Sequence, residues 1–121
     1  MGGSARSLKT AIDALNSKFI SGEWSGIAYS TPNEYTEVAS FTIPANRRTL
    51  VYALSIYASG RPTGIQIMNG TTKLYDVENE NYTKVFAVVP INSNSRDVTY
   101  TIEEKLATNG VLTGQYGVIF F

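Results

Sequence analysis

The apolar residues of this chain change period once, and that change divides it in two. Up to Phe19 they fall at Ala5, Leu8, Ile12, Leu15 and Phe19, spaced three, four, three, four. From Glu23 to Phe121 they alternate with polar residues in short runs cut by Gly, Pro and Asn. The first pattern is the a/d seam of a coiled coil, narrower than the stripe of a helix packed on a globular core. The second is the pattern of half-buried strands. A chain with both reads as a helical neck carrying a β head.

The neck is expected over residues 7–21, after residues 1–6, which read as a cloning scar or a stalk remnant. Ser4 and Ser7 are possible N-caps, and Gly22 is placed to end the helix. A helix this short, roughly 20 Å along its axis, is marginal alone in water. It therefore needs a longer stalk, other copies of itself, or its own head to lie on. Ile12 at an a position with Leu8 and Leu15 at d leans toward two strands, but Lys9, Ala11, Asn16 and Lys18 lack the opposite charges that specify many dimers. The heptads alone leave dimer and trimer open.

The head is expected over residues 22–121. Strands are read at Trp24–Tyr29, Ala39–Ile43, Thr49–Ala58, Ile65–Ile67, Lys73–Val77, Val85–Ile91, Val98–Ile102 and Gln115–Phe121. Turns fall at Pro32-Asn33, Pro44-Ala-Asn46 and Asn69-Gly70, the last a type I′ hairpin signal, and a longer loop runs from Asn109 to Gly114. About eight strands at this spacing indicate an all-β antiparallel sandwich or barrel. Leu50–Tyr57 and Tyr116–Phe121 are apolar at nearly every position, so both their faces call for cover. A subunit interface would cover the second face. Leu8, Ile12, Leu15, Phe19, Ile119 and Phe121 are the expected oligomer contacts.

Composition narrows the chemistry. The chain has 0 Cys and 0 His, which removes disulfides, thiol catalysis and the commonest general base and metal ligand. Lys+Arg 10 against Asp+Glu 10 gives net charge +0, so no field steers nucleic acid or an anionic membrane. No apolar run approaches the roughly 20 residues of a membrane-spanning helix, and no apolar leader follows Met1.

The heptad from Ser7 to Lys18 resembles the neck before the C-terminal head of many bacteriophage tail-fibre and baseplate receptor-binding proteins. Phe41-Thr-Ile-Pro-Ala-Asn46 before a long apolar strand, and the closing Gly114-Gln-Tyr-Gly-Val-Ile-Phe-Phe121, resemble jelly-roll heads of the tumour-necrosis-factor-like kind. The resemblance implies a homotrimer on a virion tail, with the C-terminal strand near the three-fold axis and loops touching a host cell-surface glycan. It implies no shared binding motif.

Asp76, Glu78, Glu80, Glu103 and Glu104 could supply a glycosidase pair or, at Asp76, Glu78 and Glu80, a cation site. Solvated charges explain them better, so no enzyme, metal or cofactor is expected. A sugar site needs an aromatic platform beside a few polar groups. Tyr82, Asn81, Asn79, Arg61 and Asn69 are the loop residues that offer one, with Tyr82 alternatively a cap on the core. Trp24 is expected at the junction of neck and head, and Arg47-Arg48 in a solvated turn. A host-recognition head is thus the leading reading, and a trimerisation tip with no ligand is its alternative.

Overall fold

The computed structural model describes residues 19–79 and 83–121. The expected neck positions Leu8, Ile12 and Leu15 lie outside them. Eight strands follow in order: β1 (Phe19–Tyr29), β2 (Thr36–Ile43), β3 (Thr49–Ile56), β4 (Pro62–Asn69), β5 (Thr72–Glu78), β6 (Lys84–Ile91), β7 (Val98–Leu106) and β8 (Gly110–Phe120). They form two antiparallel four-stranded sheets, ordered β1-β8-β3-β6 and β2-β7-β4-β5. Every connection crosses from one sheet to the other except the β4–β5 hairpin.

The inner faces follow the alternation of the sequence. Val51 and Ala53 of β3, Val85 and Ala87 of β6, Ile65 and Ile67 of β4, and Val118 of β8 are all buried between the sheets. Phe41 stacks on Tyr100 and Tyr116, with centroids 5.7 and 6.0 Å away. In β1 the register shifts between Trp24 and Ile27, and Gly26 there has φ 72°. The bulge keeps Trp24 and Ile27, three residues apart, both turned toward the core.

Four expectations are corrected. Phe19, Ile20 and Ser21 are not helical: they pair with Ile119, Val118 and Gly117 of β8. The sheet thus starts three residues before the expected boundary at 22, because β8 runs far enough to pair with them. Gly22 does not end a helix but lies under the Tyr116 ring, where an added Cβ would come within 2.5 Å of it. The segment from Val111 to Gly114 is not a loop but the first half of β8, paired with β1. The hairpin at Asn69-Gly70 forms, but its two central residues are Gly70 and Thr71, and of these only Gly70 has positive φ, 61°. That is the pattern of a type II′ turn, not I′.

The register fixes which loops share an end. Phe19 pairs with Ile119, and Phe121 N–H donates to Arg48 O at 2.9 Å, so both ends of the described chain and loop 44–48 lie together. Loops 70–71 and 92–97 share this near end, where Asn46 N–H donates to Asn94 O at 2.7 Å. Loops 30–35, 57–61 and 107–109, with Asn79 and Thr83, form the far end. Backbone donors knit them: Asn33 N–H to Leu106 O at 2.8 Å, Tyr57 N–H to Thr83 O at 2.9 Å, Asn79 N–H to Thr63 O at 3.0 Å and Ala107 N–H to Arg61 O at 2.8 Å.

Gly114 shows how tightly the first sheet is built. A Cβ there would come within 2.2 Å of the Trp24 ring and 2.3 Å of Leu54 O. Gly114→Ala is expected to destabilise the head by about 1–3 kcal/mol. Thermal unfolding followed by circular dichroism should show a clearly lower midpoint.

Candidate functional site

The far end gathers some of the expected ligand residues and excludes one. Arg61 in loop 57–61 and Asn79 beside loop 79–83 lie at this end; Asn81 and Tyr82 belong to the same loop but lie outside the described residues. Asn69 is at the opposite end, in the β4–β5 hairpin. Asn79 also closes its own loop, its Nδ2 donating to Lys84 O at 2.7 Å and its backbone N–H to Thr63 O. That makes it a brace as much as a ligand donor. Sequence reasoning overlooked Tyr57, treating it as the last residue of an apolar strand. It lies just past β3 and is 56 % exposed. Its backbone N–H donates to Thr83 O, which ties the loop that also carries Arg61 to the start of β6. An exposed ring in the same loop as an arginine is part of the mixture a sugar face and its hydroxyls require. The Ala-Ser-Gly that follows Tyr57 was the available signal that the strand had ended.

A second feature is a whole sheet face. Read across β1, β8, β3 and β6, the outward residues form rows: Phe19–Ile119–Leu50–Pro90, Ser21–Gly117–Tyr52–Val88 and Glu23–Gln115–Leu54–Phe86, with Ile56–Lys84 beyond. Phe86 and Val88 are 53 % and 41 % exposed. The expected contacts Phe19 and Ile119 are both in the first row. Phe121, just past β8, is exposed and lines a near-end groove of ≈ 330 Å³ with Arg48, Thr49, Leu50, Pro90, Ile91 and Asn92. The doubly apolar strands β3 and β8 are adjacent, in the middle of this sheet. The sequence reading counted only Leu50–Tyr57 and Tyr116–Phe121 as apolar on both faces and left out β6, which turns Phe86 and Val88 outward.

The outer face of the other sheet is polar. Glu37, Glu103, Gln66 and Asp76 form one row across it. Gln66 Nε2 donates to Glu103, Lys73 pairs with Asp76 at 3.5 Å, and Lys105 pairs with Glu78. Lys105 Nζ also sits 5.0 Å from the centre of the Tyr35 ring. Burial, and then the nearby Glu78, Asp76 and Glu103 charges, push the Tyr35 hydroxyl up to about 12. Among the described residues no cluster of three His, Cys, Asp or Glu could hold a metal.

Glu104 corrects the expectation that Glu103-Glu104 is a solvated pair. The two point to opposite faces of β7, and Glu104 is 0 % exposed, inside the sandwich. Its Oε1 accepts the Trp24 Nε1–H at 2.6 Å across the two sheets, while Oε2 has no partner. Trp24 is therefore a core residue in mid-strand, not a plug at a neck junction. Desolvation outweighs the indole bond and raises the Glu104 carboxyl to about 8. The acid is neutral over most of the physiological range.

No protein-family model and no curated protein matches the sequence. Solved structures with a similar fold do exist. One is the pilus of Bacillus endospore appendages, at 13% identity and TM-score 0.43 over 84% of this chain and 86% of that one. Another is the acid-stable capsid of a Helicobacter pylori bacteriophage, at 16% identity and TM-score 0.49 over 84% and 87%. A third is the pre-peptidase C-terminal domain of a Bacillus anthracis collagenase, at 10% identity and TM-score 0.46 over 84% and 90%. All three TM-scores are below 0.5, a level that carries nothing about function.

The buried acid gives a pH dependence with a definite sign. Unfolded, Glu104 ionises near its ordinary value of 4.5; folded, it holds its proton to about 8. Between those values the folded state binds more protons, so its stability falls as pH rises, by at most roughly 1.4 kcal/mol per unit. Below 4.5 the contribution is fully present, and above 8 it has been lost. Glu104→Gln, neutral throughout, is expected to flatten this slope. Melting temperatures of both chains at pH 5 and pH 8.5 test it: the gap between them should change in favour of the Gln variant as pH rises.

Proposed function

We propose that the chain is the host-recognition head of a phage-type tail fibre, working as a homotrimer and holding a cell-surface saccharide with its far-end loops. The observation that carries this reading is the polarity of the head. Phe19 and Phe121 lie at one end of the described residues, and loops braced by backbone hydrogen bonds stand at the other. A neck that arrives at the near end leaves the far end facing outward, where recognition loops on a rigid scaffold belong.

The wiring supports a jelly roll. Sheets ordered β1-β8-β3-β6 and β2-β7-β4-β5 nest β8 between β1 and β3, and β7 between β2 and β4. That is how a long hairpin looks when it folds over on itself into two Greek keys. In this reading Tyr57 and Tyr82 offer aromatic platforms and Arg61 and Asn81 polar contacts. A trimer repeats the set three times, so a weak site still holds a glycan-coated surface through avidity. The protein then acts on the virion tail, outside the cell, and inserts into no membrane. The second reading, a structural trimerisation tip that binds nothing, is favoured by the apolar sheet face alone, since such a face would serve assembly whatever the loops do.

Binding of labelled protein to whole host cells tests the two readings against each other. Tyr57→Ala, Tyr82→Ala and Arg61→Ala are each expected to lower it about tenfold or more, the equivalent of 1.4 kcal/mol per site or above. Their melting temperatures should stay close to that of the parent. Asn69→Ala, at the other end of the head, is expected to bind as the parent does, and EDTA to change nothing. If the parent binds cells and no far-end variant alters that binding, the site lies outside these loops; if the parent binds no cell and no glycan, the structural reading replaces this one.

A further inference from the structure

The core changes character one layer beneath the far-end loops. Across the first sheet that layer reads Trp24–Gly114–Ser55–Val85, and across the second Thr36–Glu104–Ile65–Val77. Ser55 and Glu104 are each 0 % exposed, and neither Ser55 Oγ nor Glu104 Oε2 has a partner. The Trp24 indole lies over Gly114 and donates to Glu104 Oε1, which ties β1 to β7. Among the described residues no charge faces this carboxyl: its neighbours in the two rows are uncharged. Glu103 and Lys105, on either side of it in the chain, turn to the opposite face of β7 and meet Gln66 and Glu78 there. The other titratable side chains on the inner faces are Tyr29, Tyr100, Tyr116 and, at the β5 edge, Tyr75. All are phenols, and none can pair a carboxylate as a cation would.

The strands that carry the two orphan oxygens run straight into the bonds that fix the loops. Two residues beyond Ser55, Tyr57 N–H donates to Thr83 O at 2.9 Å. Two residues beyond Glu104, Leu106 O accepts the Asn33 N–H at 2.8 Å and the Tyr29 hydroxyl at 3.2 Å. The next residue, Ala107, donates its N–H to Arg61 O at 2.8 Å. Gly60 packs on Leu106, where an added Cβ would come within 2.8 Å of the leucine side chain. The layer is thus the floor on which loops 30–35 and 57–61 stand. A protonated Glu104 leaves that floor uncharged. A carboxylate in the same place needs water or a cation, and the layer itself supplies no cation.

We propose that Trp24 and Glu104 form a proton-operated latch beneath the far-end loops: while the carboxyl keeps its proton the loops are held in one course, and when the proton leaves, the end of β7 lifts toward solvent and frees them. That these loops hold a saccharide is the reading given above; resting on it, the head grips its ligand less well on the alkaline side. Burial raises the carboxyl to about 8 in the closed layer, against the ordinary 4.5 it regains once solvated. The closed form therefore binds the extra proton and is favoured at low pH. Between those two values each pH unit shifts the balance toward the open form by at most about tenfold. Above about 8 the shift is complete.

The chain has 1 Trp, so its fluorescence reports on the latch directly. Acrylamide quenching of Trp24 in the full chain, well below the unfolding temperature, is expected to rise about twofold or more between pH 7 and pH 9 while the strand circular dichroism is kept. Over the same range chymotryptic cleavage after Tyr57, scaled to cleavage of a free peptide at each pH, is expected to rise about tenfold. Glu104→Gln, which still accepts the indole N–H but cannot ionise, should show neither rise. If that variant does not fold, the parent decides alone, since the chain has 0 His and 0 Cys to titrate in this window. Quenching and cleavage that stay flat in the parent, or that rise equally in the Gln variant, overturn the latch. So does a rise in quenching without one in cleavage, which confines the ionisation of Glu104 to its contact with Trp24. Binding to whole cells at the two pH values then tests the reading beneath it. A parent whose loops loosen but which binds no cell, or binds equally well at both, overturns recognition by these loops and leaves the latch standing.

Discussion

The head depends on a sheet with apolar residues on both sides. In β1-β8-β3-β6 the central strand β3 is apolar on both faces, and the register aligns its outward Leu50 with Ile119 and Pro90, and its outward Tyr52 with Gly117 and Val88. The inner rows are satisfied within the chain by β2-β7-β4-β5. The outer rows are not, because the second sheet has only one apolar side to give. Burial of apolar surface is the largest favourable term in folding and in most association. The same residue pattern that closes the sandwich therefore also puts apolar residues such as Phe86 and Val88 on the exposed outer face.

Much of this could be read before the fold was in hand. Strand number, order along the chain and core alternation are all set by period-two runs and by Gly, Pro and Asn at the turns; Asn33 and Asn46, both read as turn residues, do take positive φ. The doubly apolar strands were legible for the same reason. Their adjacency was not, because β3 and β8 are about sixty residues apart and pairing at that range has no local signature. Nor could the bulge at Ser25-Gly26 be foreseen, although it decides that Ile27 faces inward. The start of β1 was misplaced because Phe19 satisfies both patterns, being a seam position and an outer-row residue at once.

Single side chains were less legible than patterns. Glu103 and Glu104 are chemically identical and adjacent, and one is solvated while the other is in the core; alternation along β7 separates them, and a carboxyl would ordinarily be the wrong occupant of the inner face. What makes it tolerable is its neutral state and the Trp24 indole that donates to it from the other sheet. Trp24 in turn needs Gly114 beneath it, so three residues from β1, β7 and β8 fit only together. The site residues show the same limit. Asn69 and Arg61 look equivalent as loop residues eight positions apart, yet β4 runs between them and puts them at opposite ends of the head.

On the proposed reading, assembly through the apolar sheet face and recognition through the far-end loops use different surfaces. The outward side chains of that face belong to regular strands, whose directions are fixed by the ladder on either side. The far-end loops are fixed differently. Their backbones are anchored by bonds such as Tyr57 N–H to Thr83 O and Ala107 N–H to Arg61 O, which involve no side chain at all. A loop held by its peptide groups keeps its course when its side chains are exchanged. On the proposed reading, that separation lets the head take a different saccharide by altering residues such as Tyr57, Arg61 and Tyr82, while the strands that join the copies stay as they are.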